Sequence, residues 1–350
     1  MAMRPDPITR SQIWNCVFVL TPRFNMMTLT TLVEPVRVAN YLSSRPLYAY
    51  EFCSPDGEVI LASNGMAQRC EPLPEVLSRD STIFVLASWG GENYSNRQLI
   101  SWLRRQNRNG VQICGVEMGA YILAEANLLA NLKATTHWSY LRGFREKYPR
   151  TTVSEQLYTE IGPVMTCAGG TAGFDLMLSF IGTYRGRELA GEIADQIMHH
   201  PLRPATAPQR TTHGRGLEQL PESVRDAVRL IEEKIEDPPR VGEIAERIGI
   251  SQRQLERRFN ASFGCSISQF SQLLRLQHAR VLLISTDLSI SEITSASGFN
   301  TQSHFNKVFK ARFGRKPSAY RNAWPEHEPV PHWPGTLWSY IESIRTKPKD

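Results

Sequence analysis

The 350-residue chain is 41% hydrophobic and 21% charged, which is ordinary for a globular protein. Its length excludes a single core of typical size, so two domains are expected. The net charge of +6 is mild over the whole chain, and its distribution matters more than its total.

The six cysteines are scattered without a C-x-x-C pair, and several lie inside apolar runs. This pattern predicts buried thiols in a reducing compartment and argues against a disulfide framework or a zinc site. Residues 1–12 are polar and carry no apolar signal core, so they are predicted to be disordered. No window has the length needed to span a bilayer. We expect a cytoplasmic protein with no membrane partner, metal or cofactor.

Residues 13–200, the first predicted domain, alternate short apolar runs with helical stretches. Strands are predicted at 14–20, 81–88 and 111–116, and helices at 29–42 and 96–106. This alternation predicts an α/β doubly wound, mainly parallel sheet that is covered on both faces. Ligands bind beyond the carboxyl ends of the strands in such sheets. Those ends fall near residues 21–22, 88–91 and 115–119.

Residues 115–119, Gly-Val-Glu-Met-Gly, lie between a predicted strand and a helical pattern at 120–129. Small residues around one polar residue in that position are typical of a nucleophile elbow. Glu117 occupies the apex, where an enzyme would carry Ser or Cys. Cys114 lies three residues too early, on the strand. The sequence therefore predicts elbow geometry without thiol chemistry.

A carboxylate at the start of a helix is stabilised by free backbone N–H groups and by the helix dipole. Trp89 follows one predicted strand end, and Trp138 follows His137, so aromatic faces are expected near Glu117 and its neighbour Met118. Aromatic walls beside a carboxylate suit an ammonium or guanidinium ligand. The alternative is that Glu117 only caps its helix and that the tryptophans belong to the core.

Residues 201–220 are rich in Pro, Gly, Thr and Arg without apolar periodicity, which is typical of a linker. Residues 221–322 are helical almost throughout and form the second predicted domain. Residues 323–350 are a Pro- and Trp-rich tail.

The second domain contains a repeat, because the Phe-x-x-x-Phe-Gly ending at 259–264 recurs at 309–314. Each unit predicts a helix, a tight turn at a glycine and a second helix, with Ser251 or Thr301 placed to cap the second helix. Residues 251–322 hold eleven Lys or Arg and three acids, a net charge of +8, which favours binding to phosphates.

The predicted connecting helix at 266–285 would be about 30 Å long. That length is close to the ~34 Å of one DNA turn, so both second helices are expected to enter successive major grooves. A basic helical bundle that does not bind DNA is the alternative.

Residues 221–322 resemble the AraC/XylS family of transcription regulators, through the segment GFNTQSHFNKVFKARFGRKPSAYR. The resemblance implies sequence-specific binding to double-stranded DNA, with promoter or operator DNA as the partner. Carried over position by position, the family's base-facing residues are Arg253, Glu256, Arg257, Gln302, Ser303, His304 and Lys307.

The first domain resembles the class I glutamine-amidotransferase-like fold of PfpI-type proteins, through the segments EPVRVAN, GAYILAEANLL, ATTHW and AGGTAGFDLML. Enzymes of that superfamily place a cysteine at the elbow near a histidine and a helix acid. His137 matches the histidine and Glu34 matches the acid. The candidate ligand-binding residues are therefore Glu34, Trp89, Glu117, Met118, His137 and Trp138, with no catalytic residue.

Fusion of the two domains is the arrangement of GlxA-type regulators. It implies a regulator that senses an amino acid or an amine, including quaternary ammonium compounds. A homodimer and contact with RNA polymerase are further expectations. Two alternatives stay open: an amidase or hydratase-like enzyme tethered to DNA, and an interaction domain with an empty pocket.

Overall fold

The computed structural model of the protein describes residues 13–210 and 220–323. The predicted disordered N-terminus, the linker segment 211–219 and the tail from 324 onwards lie outside the described residues. The chain divides into two compact units, of which the first ends at Gln209 and the second begins at Arg210.

The first unit is built on a six-stranded parallel sheet, which confirms the predicted fold class. Its strands are β1 (Trp14–Leu20), β2 (Tyr48–Ser54), β5 (Glu71–Pro72), β6 (Ser81–Ala87), β7 (Gln112–Glu117) and β10 (Val164–Cys167). They lie in the order β10-β7-β6-β1-β2-β5, and every pairing in the sheet is parallel. Two short two-stranded sheets pair β3 (Ile60–Leu61) with β4 (Ala67–Gln68), and β8 (Lys133–Ala134) with β9 (Thr152–Val153).

Within residues 13–210, six helices surround the sheet: α1 (Met26–Leu42), α2 (Arg97–Arg108), α3 (Gly119–Glu125), α4 (Leu141–Lys147), α5 (Ala172–Arg185) and α6 (Arg187–Gln196). A 3-10 helix at Trp138–Tyr140 precedes α4. Alternate residues of β1, such as Phe18, pack in one apolar cluster with residues of α1 and α5, such as Leu32 and Leu176. The intervening Val17 and Val19 are equally buried, so both faces of the sheet are covered.

The start of α1 is fixed by the side chain of its N-cap residue, Asn25. The Asn25 carboxamide oxygen accepts hydrogen bonds from the backbone N–H groups of Met27 and Thr28. Such a cap satisfies donors that the helix itself leaves without partners. It sets the end of the loop that follows β1.

The second unit consists of α7 (Glu222–Glu233), α8 (Val241–Ile248), α9 (Gln252–Phe263), α10 (Ile267–Ser285), α11 (Ile290–Ala296), α12 (Gln302–Phe313) and α13 (Pro317–Ala323). The pairs α8–α9 and α11–α12 are the two predicted helix-turn-helix units. Ser251 and Thr301 cap α9 and α12 through their side-chain oxygens, as the sequence predicts.

Each half of this unit has an apolar core of its own. One cluster surrounds Phe259 and Phe270, and the other surrounds Phe305 and Phe309. The connecting helix α10 has 19 residues, which gives a length of about 28 Å. Among the described residues, no helix has the length and apolar content to cross a membrane, and no group of three His, Cys, Asp or Glu side chains is placed to hold a metal ion.

Candidate ligand site and nucleic-acid interface

The elbow predicted at residues 115–119 is present at the carboxyl end of β7. Glu117 is the last residue of this strand, and its φ of 53° places it in the left-handed region that most side chains avoid. Helix α3 begins two residues later at Gly119, where a Cβ atom would lie 2.0 Å from the carbonyl oxygen of Val85. The chain therefore turns sharply between strand and helix, with Glu117 at the apex.

The carboxylate of Glu117 is enclosed by donors from other parts of the first unit. Its Oε1 accepts hydrogen bonds from Asn25 Nδ2 at 2.9 Å and from Thr28 Oγ1 at 2.5 Å. Ser88 and the backbone N–H of Gly170 also bond to this carboxyl group. The donors thus come from the start of α1 and from neighbouring loops, rather than from the start of α3 as the sequence suggests.

Glu117 is 5% exposed, and burial raises its pKa above the ordinary value of 4.5. The hydrogen bonds from Thr28, Ser88, Asn25 and Gly170 oppose that rise because they favour the ionised form. Close packing contributes to the enclosure, since a Cβ atom on Gly169 would lie 1.9 Å from the Cγ of Glu117. Desolvation and hydrogen bonding therefore act in opposite directions on the pKa of Glu117, and desolvation has the larger effect.

Two loops that carry the predicted aromatic residues contact the elbow. The Thr136 hydroxyl donates to the backbone oxygen of Glu117 at 2.6 Å, which places the start of the segment 136–138 beside the elbow. Within that segment, the His137 and Trp138 rings lie 5.4 Å apart, and Trp138 is 41% exposed. The loop at 88–91, which includes Trp89, packs on Met118.

Glu34 lies elsewhere on α1. Its carboxylate accepts two hydrogen bonds from Arg37, at 2.7 and 2.9 Å. The residues that reach Glu117 from the start of α1 are the cap Asn25 and Thr28. The expected pairing of Glu34 with the elbow is therefore replaced by these two residues, which the sequence reasoning missed.

The cysteines nearest the elbow are buried. Burial raises the pKa of the Cys114 thiol well above its ordinary value, and it raises the pKa of Cys167 to about 12. Both residues are therefore thiols at neutral pH, and the thiolate is the reactive form of cysteine. Neither side chain has the ionisation that a nucleophile needs.

The segment after α6, part of which the sequence assigns to the linker, is bound to the first unit. The buried carboxylate of Asp175 accepts hydrogen bonds from the Arg203 guanidinium and backbone N–H, and its Oδ1 lies 3.1 Å from His199 Nε2. Further along, Gln209 Nε2 lies within 3.0 Å of three oxygens: the Thr135 hydroxyl and the carbonyls of Thr136 and Gln156. The chain thus leaves the first unit beside the loop that binds the elbow.

In the second unit, the predicted base-facing side chains are exposed on α9 and α12, which we call the reading helices. These side chains belong to Arg253, Glu256, Arg257, Gln302, Ser303, His304 and Lys307. The opposite stripe of each reading helix is buried, with Leu255 and Phe305 at 0% exposure. Arg258, adjacent to this set, donates a hydrogen bond to Ser223 of α7 instead of pointing away from the unit.

Comparison with known proteins finds a family model described as a helix-turn-helix domain that matches residues 244–323. The HTH-type transcriptional regulator CdhR of Pseudomonas aeruginosa is 37% identical, with 91% of this chain and 94% of that protein covered. The regulator GbdR of the same species is 33% identical, with coverages of 89% and 85%. GlxA of Rhizobium meliloti is 31% identical, with coverages of 87% and 94%.

Similarity to these proteins runs through both units and includes the two helix-turn-helix elements. The chain therefore belongs to the family of AraC-type HTH transcriptional regulators that includes CdhR, GbdR and GlxA.

Proposed function

We propose that the first unit senses a small cationic metabolite, either an amino acid or an amine such as a quaternary ammonium compound, and thereby controls DNA binding by the second unit. The observation that carries this proposal is the buried carboxyl group of Glu117 at the carboxyl ends of parallel strands. Ligands bind at this edge of an open parallel sheet. A buried negative charge there favours a cation above it.

In this proposal, the ligand lies among Trp89, Met118, His137 and Trp138. The exposed face of Trp138 suits an ammonium group through cation–π attraction, which does not require a hydrogen atom on the ligand. Glu117 supplies the charge from beneath, since Asn25 and Thr28 already donate to its Oε1. A quaternary ammonium group, which donates no hydrogen bond, is compatible with a carboxylate engaged in this way.

The route from ligand to DNA runs through Thr136 in this proposal. Thr136 donates to the elbow through its hydroxyl and lies near Gln209 Nε2 through its carbonyl oxygen. A ligand that displaces the 136–138 segment would change how Gln209 is held, and with it the start of the linker. Effector occupancy and DNA affinity would then be coupled.

We further propose that the protein acts as a homodimer on operator DNA and contacts RNA polymerase at promoters. Two-fold oligomers are common among soluble proteins, and the first unit is the expected site of pairing. Sedimentation of the full-length protein at micromolar concentration tests this, and a monomer both with and without DNA would contradict it.

We propose no catalytic role for the elbow, so the enzyme alternative stays in second place. Thiol chemistry needs a thiolate, and Cys114 and Cys167 are buried with raised pKa values. Release of ammonia from amides by the purified protein, lost in Glu117→Gln, would favour the enzyme instead.

The experiment that tests sensing is a screen of amino acids and amines for stabilisation of the full-length protein, because a ligand that binds the folded state raises its melting temperature. Glu117→Gln should then weaken binding of the best compound by about 1–4 kcal/mol, the range for a pair of opposite charges about 4 Å apart between bulk water and a protein surface. Glu34→Gln is the matched control and should bind like the wild type. Unchanged binding in Glu117→Gln would reduce Glu117 to a structural role.

A further inference from the structure

Among the described residues of the second unit, two junctions between its halves stand out. The first is α10, which passes from the core around Phe259 to the core around Phe309. The second is the turn between α11 and α12 at Gly298, which lies against the segment that follows α7 in the other half. Contact at two separate places restricts rotation of the halves more than one connecting helix does.

The second junction is a close approach of backbone to backbone. A Cβ atom on Gly298 would lie 2.6 Å from the carbonyl oxygen of Ile235, 2.9 Å from that of Glu236 and 3.1 Å from Cδ of Pro238. Real Cβ atoms do not approach main-chain oxygens so closely, and backbone oxygens cannot rotate away as a side chain can. Only glycine allows this seating. The equivalent glycine of the first helix-turn-helix, Gly249, has nothing within 4 Å of its Cβ position.

Arg275, a residue of α10, contacts the turn at Gly298 and so connects the two junctions. Its Nη1 donates to the carbonyl oxygen of Gly298 at 2.9 Å, and its guanidinium carbon lies 4.7 Å from the centre of the Phe299 ring. The side chain is partly buried, so both contacts form where water competes weakly. One residue therefore fixes the second turn to the connecting helix.

We propose that Gly298 and Arg275 are positioning residues for DNA recognition, which set the distance and angle between the two reading helices. The proposal rests on both helices binding one DNA duplex. A fixed arrangement makes binding of the second groove an intramolecular step at high effective concentration. It also makes affinity depend on the number of base pairs between the two half-sites, because two reading helices in a fixed arrangement fit only one spacing.

The test compares Gly298→Ala with Gly249→Ala in the full-length protein. Both glycines have positive φ, 72° and 77°, so alanine brings similar backbone strain to both turns. Only Gly298→Ala adds the clash with the other half. The probe is the DNA sequence that the wild-type protein selects from a random pool, together with versions in which one half-site is scrambled or one or two base pairs are inserted between half-sites.

We expect Gly249→Ala to keep the wild-type preference for one spacing. Gly298→Ala should bind the selected sequence at least about tenfold more weakly, while its affinity for the single half-site stays unchanged. The penalty for inserted base pairs should shrink in the same variant. If the ratio of full-site to half-site affinity is the same in Gly298→Ala and Gly249→Ala, the proposal is overturned.

Arg275→Gln provides a second route if Gly298→Ala does not fold. It removes the charged contact to Gly298 and the stacking on Phe299 without adding bulk at the junction. The ratio of full-site to half-site affinity should fall in this variant, and circular dichroism should show an intact helical content. A wild-type ratio together with the wild-type spacing preference in Arg275→Gln would also overturn the proposal.

Discussion

At the scale of single residues, Glu117 combines a left-handed backbone with a buried acidic side chain. Both features are unfavourable by themselves. They persist because hydrogen bonds from Asn25, Thr28, Ser88 and Gly170 converge on the carboxyl group. The elbow is thus stabilised by contacts from segments far apart in the sequence.

The raised pKa of Glu117 predicts a pH dependence of stability. The folded state keeps a proton on this group that the unfolded chain releases above about pH 4.5, the ordinary value. The stabilisation from the protonated form is complete below that pH and is lost as the pH rises through the folded-state pKa. Glu117→Gln cannot ionise, so its free energy of unfolding should rise relative to that of the wild type as the pH increases from 4.5 through the folded-state pKa of Glu117. Urea titrations across this range measure the difference, and a constant difference would contradict the prediction.

Thr28 should contribute more to stability than its neighbour Thr30. Thr28 Oγ1 donates to Glu117 and accepts from the backbone N–H of Gly170 at 2.8 Å. Thr28→Val removes one donor to the buried Glu117 carboxyl group and the hydroxyl that accepts from Gly170, and it should lower the free energy of unfolding by about 1–3 kcal/mol. Thr30, exposed on the same helix, bonds only to the Met26 carbonyl among the described contacts, so Thr30→Val should change it by less than about 0.5 kcal/mol. Similar losses in denaturant titrations of both variants would argue against this role.

At the scale of elements, the central strands of the sheet follow from the sequence and the edges do not. The observed β1, β6 and β7 lie within one residue of the predicted ranges, because unbroken apolar runs are typical of strands buried on both faces. Strands β2, β5 and β10 are not predicted from the sequence. Exposed Ala49 and Tyr50 interrupt the apolar pattern of β2, and β10 has only four residues.

The site was only partly predictable for a related reason. The elbow follows from local sequence, since strand, glycines and helix are contiguous. The donors to Glu117 depend on how α1 packs across the sheet, and polar residues such as Asn25 and Thr28 carry no periodic signal. Helix α3 ends at Glu125, four residues before the predicted end at 129. Two residues after Glu125, Asn127 has a positive φ of 58°, which a helix does not allow.

The reading helices predict a graded response to alanine substitutions. Arg253→Ala and Lys307→Ala should weaken binding to the operator by about 1–3 kcal/mol while changing binding to random DNA less, since a base contact is lost. Lys310→Ala is the matched control, because Lys310 is exposed on α12 outside the proposed base-facing set. It should weaken both kinds of binding alike. Fluorescence anisotropy with operator and random duplexes measures the ratio, and equal ratios for all three variants would refute the assignment.

At the scale of the whole molecule, positive charge is concentrated in the DNA-binding unit. Residues 251–322 carry +8, which exceeds the +6 of the entire chain. The rest of the chain therefore sums to −2, so the positive charge that attracts nucleic acid is concentrated in residues 251–322.

Affinity for DNA should accordingly fall steeply with salt. Each neutralised phosphate releases condensed counterions, so six or more contacts would reduce affinity by about a thousandfold between 50 and 200 mM salt. Titrations of the full-length protein at several salt concentrations give the slope of log affinity against log salt. A slope near zero would show that phosphate contacts do not dominate binding.

The six cysteines should be inert in the folded protein. All are buried, and burial raises the pKa of Cys53 and Cys167 to about 12. We expect less than one thiol per chain to react promptly with Ellman's reagent at neutral pH, and six after denaturation. Rapid reaction of one or more thiols in the native protein would show an accessible cysteine.

Because the second unit has two apolar cores, each half has its own free energy of local unfolding. Backbone amides around Phe259 and around Phe309 are protected by different apolar clusters, so their hydrogen exchange reports different local unfolding events. When the second half opens alone, the molecule keeps one reading helix and holds a single half-site. DNA that binds both reading helices should then stabilise both halves against local opening, so hydrogen exchange around Phe259 and around Phe309 should slow when the operator is bound.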